Sequence, residues 1–89
     1  MLRIELSRQA AEFLEDLQAK QARQIIARLD SLATDAAAVS SVLIRGGQGE
    51  RRAKAGEFRI IYEVTDEALI VWLIDRRNDD RIYRKLRRL

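Results

Sequence analysis

The stretch Arg52-Ala53-Lys54-Ala55-Gly56-Glu57-Phe58-Arg59-Ile60-Ile61-Tyr62-Glu63-Val64 decides the fold. Gly56-Glu57 suits a two-residue hairpin turn of the II′ type, with glycine first, where φ must be positive. Such a turn sets Ala55 opposite Phe58 and Lys54 opposite Arg59. Beyond it Phe58, Ile60, Tyr62 and Val64 alternate with Arg59, Ile61 and Glu63, the period of a strand with one fully apolar face. A second turn near Asp66-Glu67 leads into Leu69-Ile70-Val71-Trp72-Leu73-Ile74, apolar at every position, as expected of a central strand covered on both sides.

With two-residue loops at both turns, register gives each side chain a face. Phe58, Ile60, Tyr62 and Val64 then sit with Ala53, Ala55, Leu69, Val71 and Leu73, packed against helices. The opposite face carries Arg52, Lys54, Arg59, Ile61, Trp72 and Ile74, with Arg76 and Arg77 at its edge and no acidic residue near the turn. A one-residue slip would bury the cations. The expected result is a phosphate-binding surface.

Outward from the hairpin, Leu2, Ile4 and Leu6 alternate with Arg3 and Glu5 as a half-buried strand. Ser7 can cap a helix whose apolar stripe is Ala10, Phe13, Leu14 and Leu17. After a weak break near Ala19-Lys20, Ala22, Ile25, Ile26, Leu29 and Leu32 repeat that spacing, so two helices are expected to pair in antiparallel fashion. Residues 34–41 show no period and bridge helix to sheet. Val42 to Ile44 can start a strand, which Gly46, Gly47 and Gly49 interrupt and which resumes at Arg51. Ile82, Leu86 and Leu89, at helical spacing among Arg and Lys, predict a short basic C-terminal helix. The order of elements describes an α+β fold: a strand, a two-helix hairpin, then a three- to four-stranded antiparallel sheet with the helices on one face.

Composition limits the chemistry. Eighty-nine residues suit one domain, 1–89, of a size that buries only about 60–65% of its unfolded surface. With no cysteine and no histidine, disulfides, zinc-finger spacings, thiol catalysis and imidazole chemistry are excluded, and no metal or cofactor is expected. Catalysis would fall to Lys, Arg, Tyr, Glu or Asp. There is no apolar signal core at the N-terminus and no apolar run of membrane-spanning length, so a cytoplasmic protein without a membrane partner is expected. Charge is uneven: residues 1–44 hold five Lys/Arg against six Asp/Glu, and residues 45–89 hold twelve against eight. A basic C-terminal half favours a polyanionic partner.

Grouped cations can do more than bind. Attack of an RNA 2′-OH on its own phosphate gathers negative charge on the phosphorane oxygens and the departing 5′-oxygen, which fixed guanidinium groups hold better than the ground state. Arg meets phosphate with a planar two-pronged donor set. Lys54, the amine among these cations, is the candidate general base. Trp72 offers an aromatic plane for stacking a base, or is simply a packing residue.

The hairpin Arg52-Ala53-Lys54-Ala55-Gly56-Glu57-Phe58-Arg59-Ile60-Ile61-Tyr62, together with Arg76-Arg77-Asn78-Asp79-Asp80-Arg81-Ile82-Tyr83, resembles the RelE/ParE superfamily of type II toxins. In that superfamily the two segments read basic-x-basic-x-Gly-acidic-aromatic-Arg-x-x-Tyr and His-Arg-Asn-Asp-Asp-x-x-Tyr. For the RelE-type members the resemblance implies a small antiparallel sheet with two helices on one face, cleavage of messenger RNA on the ribosome, and silencing by a cognate antitoxin in a hetero-oligomer. Carried over by position, it implies that Arg52 and Lys54 orient the 2′-OH and stabilise charge, and that Arg59 contacts the scissile phosphate. Arg77 would serve the leaving oxygen and Tyr83 would position the substrate. Trp72, Arg76, Arg81, Arg84, Lys85, Arg87 and Arg88 are the candidate contacts to RNA and ribosome. Arg52 stands where some members have Lys, and Arg76 where many have His. The alternative within the superfamily is a ParE-type toxin that blocks DNA gyrase without catalysis.

Overall fold

The computed structural model describes residues 1–35, 41–44 and 46–77. The elements run β1 (Arg3–Leu6), α1 (Arg8–Asp16), α2 (Ala19–Thr34), β2 (Ser41–Leu43), β3 (Arg51–Ala55), β4 (Phe58–Val64) and β5 (Ala68–Arg76). One five-stranded sheet has the order β1-β5-β4-β3-β2. β1 runs parallel to β5, and every other neighbouring pair is antiparallel. The expected antiparallel sheet is β2 to β5, four strands, and the N-terminal strand adds a parallel fifth at its far edge. The expected C-terminal helix lies outside the described residues.

Local chemistry builds the helices as read. Ser7 is extended and its Oγ accepts from the Ala10 N–H at 3.1 Å, satisfying a first-turn donor. The break falls at Leu17 and Gln18, both extended, just before the expected point; Leu17 leaves α1 to pack on the core. Both helices cover one sheet face. Ala10, Ile25, Leu29 and Leu32 meet Phe58, Ile60, Tyr62, Leu69 and Val71 there, with Phe13 edge-on to Phe58 at 6.0 Å. Each fully buried large side chain contributes about 1.5–3 kcal/mol. Three apolar residues expected on the core side stay out of it: Ile26 is turned to solvent, and Leu6 and Val64, each at the end of its strand, are exposed.

The hairpin 51–64 has the expected register, with Ala55 opposite Phe58 and Lys54 opposite Arg59. Gly56 has φ +60° and no non-glycine described residue has positive φ, the signature of the II′ turn. The next ladder departs from expectation. Tyr62 pairs with Val71 but Ile61 pairs with Leu73, so Trp72 is an extra residue in a β-bulge. From that point the faces of β5 exchange: Ile74 joins the helix-side core, and Leu73 packs on the other face with Ile61, Ile44 and Trp72.

Two side chains at the start of α1 hold the bulge in place. β1 pairs with β5 only as far as Leu6 opposite Val71. Beyond that, the Ser7 hydroxyl donates to the Trp72 carbonyl at 2.6 Å. Gln9 donates through Nε2 to the Ile74 carbonyl at 2.8 Å and accepts the Ile74 N–H on Oε1 at 2.9 Å. Backbone groups inside a protein need partners, and the N-terminal end of α1 supplies them where the edge strand has run out.

Candidate functional site

Residues directly opposite one another in an antiparallel ladder share a face. Across the face away from the helices, one row therefore reads Lys54, Arg59, Asp75 and the next Val42, Arg52, Ile61, Leu73. The structure thus brings Arg52, Lys54 and Arg59 together on that face, as the sequence indicates. Lys54 is exposed, Arg52 half-buried and Arg59 only 7% exposed. Arg59 is fixed under the turn by Nη1, which donates to the carbonyls of Gly56 at 3.1 Å and Phe58 at 3.0 Å. A guanidinium tied this way cannot swing, so its positive pole has one direction.

Asp75 corrects the expectation that no acid lies near the turn. It is 1% exposed, stands beside Arg59 in register, and accepts the Arg76 N–H on Oδ1 at 2.7 Å. A carboxylate withdrawn from water needs positive or donor groups around it, and this one sits in the cationic row. The sequence signal was available: Asp75 is a lone charge ending an apolar run. Its face was not, because the bulge decides it.

The same exchange turns Arg76 toward the helix side of the sheet. Arg76 pairs with Phe58, a helix-side residue, and its guanidinium carbon lies 5.3 Å from the Phe58 ring centroid. Its Nη1 meets Glu57 Oε1 at 2.9 Å, an oxygen that also accepts from Gln21 of α2 at 3.3 Å. Arg77, one residue past β5, is exposed. Trp72 keeps to the cationic side of the sheet, half-buried, its Nε1 donating to Glu63 Oε1 at 3.3 Å. Arg81, Tyr83, Arg84, Lys85, Arg87 and Arg88 lie outside the described residues.

The far end of this face is acidic. Glu63, Ile70 and Glu5 form the next row beyond Trp72, with Glu5 paired to Arg3 at 3.2 Å, and the Asp66-Glu67 turn that follows leaves this end net negative. A polyanion would meet attraction at the Gly56 end and repulsion at the Asp66 end, which confines it to the hairpin tip. Among the described residues no helix is long and apolar enough to cross a membrane.

The fold, a small sheet carrying two helices on one face, is shared with solved RelE and YoeB toxin structures. The RelE-RelB complex of Pyrococcus horikoshii OT3 superposes with a TM-score of 0.70 over 86% of this chain and 96% of that one, at 21% identity. The RelBE2 toxin-antitoxin complex of Mycobacterium tuberculosis gives 0.72 over 85% and 98%, at 19% identity. The YoeB dimer of Staphylococcus aureus gives 0.65 over 81% and 92%, at 22% identity. No curated protein matches the sequence. The family model for the ParE toxin of type II toxin-antitoxin systems (parDE) matches residues 4–81. The chain belongs to that family, and so to the RelE/ParE superfamily of type II toxins.

Proposed function

We propose that this toxin is a ribosome-dependent endoribonuclease that cuts messenger RNA by transesterification. The observation that carries the reading is the Lys54 and Arg59 pair on one sheet face, with Arg52 in the adjacent row and Arg59 anchored by two carbonyls. Lys54 takes the proton of the 2′-OH, whose oxygen forms the new bond to phosphorus as the bond to the 5′-oxygen breaks. The products are a 2′,3′-cyclic phosphate and a 5′-OH, and water supplies the proton that the 5′-oxygen gains. Arg52 and Arg77 meet the phosphate backbone first, Arg77 on the side of the leaving oxygen. Arg59, nearly buried and tied by two carbonyls, holds positive charge beneath the reacting phosphate. A chain without histidine has few acid/base groups, so in-line placement by the ribosome does much of the work. Tyr83 positions the substrate, and Trp72, Arg81, Arg84, Lys85, Arg87 and Arg88 contact RNA.

The partner that silences it is an antitoxin whose acidic or amphipathic segment covers the basic face. The related solved structures that are toxin-antitoxin complexes support this reading. A second reading, arrest of DNA gyrase without catalysis, is favoured by the ParE family model and by the burial of Arg59 beside Asp75, which suits a structural strut. Induction in a translating extract separates the two. New messenger RNA 5′-ends that require ribosomes support the nuclease; loss of supercoiling with no new ends establishes the gyrase reading.

A further inference from the structure

Arg28 belongs to α2, on the side of the sheet away from the basic face, yet its Nε donates to the main-chain carbonyl of Lys54 at 2.6 Å. That carbonyl has a particular place in the sheet. In a two-residue hairpin closed by Ala55 and Phe58, the next pair, Lys54 and Arg59, is the non-hydrogen-bonded one, so the Lys54 carbonyl points away from β4. On its other side β3 pairs with β2, with Ser41 opposite Ala53, and the Lys54 carbonyl points to that side. Arg28 provides the donor there.

The contact is one of a series. Gln21 donates to Glu57 Oε1, and the side-chain amide of Gln24 lies against Gly56. Residues 21, 24 and 28 form one stripe of a helix. Ala53 and Ala55, buried and small, let α2 lie close enough for that stripe to grip the hairpin from its turn back to Lys54.

We propose that Arg28 is a positioning residue for Lys54: by fixing the Lys54 carbonyl from the helix side, it sets the direction in which the Lys54 side chain leaves the opposite face. A strand side chain departs along a line set by its own peptide planes, and a charged donor holds such a plane more firmly than a neutral one. Arginine keeps its charge throughout. The inference rests on the nuclease reading, since it assigns Arg28 an effect on rate.

The test uses the full-length protein and ribosomes stalled on a defined messenger RNA, with the maximal cleavage rate and the half-saturating concentration read separately. Arg28→Met keeps the apolar stem and removes the donors; Arg28→Lys restores one charged donor. The expected result is a fall of about tenfold in kcat for Arg28→Met with KM within about twofold of native, and recovery of most of that loss in Arg28→Lys. Independently of any cleavage, the Ala55 and Phe58 amides should exchange with solvent roughly threefold faster or more in Arg28→Met, as hairpin opening becomes easier. Equal kcat values in native protein and Arg28→Met, a loss confined to KM, no difference between the Met and Lys variants, or unchanged exchange each overturn the inference. Lys54→Ala is the control that isolates the underlying reading. If Lys54→Ala cleaves like the native protein, or if the native protein makes no cuts, the role given to Lys54 is wrong and the positioning role falls with it.

Discussion

Gln9→Ala removes both hydrogen bonds that one side-chain amide makes to Ile74, at 2.8 and 2.9 Å. β1 has already ended at this level, so no strand takes over, and the Ile74 N–H and carbonyl both lose their partner. A backbone group stranded away from water costs about 1–3 kcal/mol. Both bonds are only part-buried and water can restore some of the loss, so the total comes to about 2–4 kcal/mol. A chain of 89 residues has a stability of roughly 4–13 kcal/mol. At about 4–8 °C per kcal/mol for a domain of this size, the variant should melt roughly 8–30 °C below the native protein while remaining folded at low temperature. Thermal melts and urea titrations followed by circular dichroism give the loss, and hydrogen exchange places it at Ile74. Gln9→Glu sharpens the test: it keeps an acceptor for the Ile74 N–H but sets a carboxylate oxygen against the Ile74 carbonyl, and should lose at least as much. A melting temperature for Gln9→Ala within about 3 °C of native, by the same conversion under 1 kcal/mol, would refute the claim that α1 holds the bulge.

Gly56→Ala should destabilise by about 1–2 kcal/mol, because φ is +60° there and a Cβ would meet the Gln24 amide; Gln24→Ala should relieve the collision but not the backbone strain, as melts of the double variant will show. Tyr62→Phe should stabilise by about 1–2 kcal/mol, since among the described residues the buried Tyr62 hydroxyl has no hydrogen-bond partner; a lower urea midpoint than native would contradict this. Arg59→Ala should slow ribosome-dependent cleavage by roughly 10² or more, whereas Arg76→Ala, directed to the helix side, should change single-turnover rates by less than about threefold. Equal losses in both would place Arg76 in the site.

Features that depend on neighbours within a turn or two are legible in the residues alone. Ser7 announces α1 because a hydroxyl at that position satisfies a first-turn donor, and Gly56 announces the hairpin because few other residues accept its φ. The turn then sets Lys54 opposite Arg59 by counting alone, so the heart of the candidate site follows from residue order. The parallel place of β1 at the far edge of the sheet does not, since that pairing joins residues more than sixty positions apart. The bulge escapes for a different reason. Residues 69–74 are apolar at every position, so no alternation records which face each occupies, and either parity of Leu73 and Ile74 looks the same in one dimension. Contacts from a distant part of the chain settle it, through Ser7 and Gln9 bonding to Trp72 and Ile74, and that choice puts Asp75 beside Arg59 and turns Arg76 toward Phe58. Periodicity reveals a face only where polar and apolar residues alternate; where they do not, the hydrogen bonds available from the rest of the fold assign it.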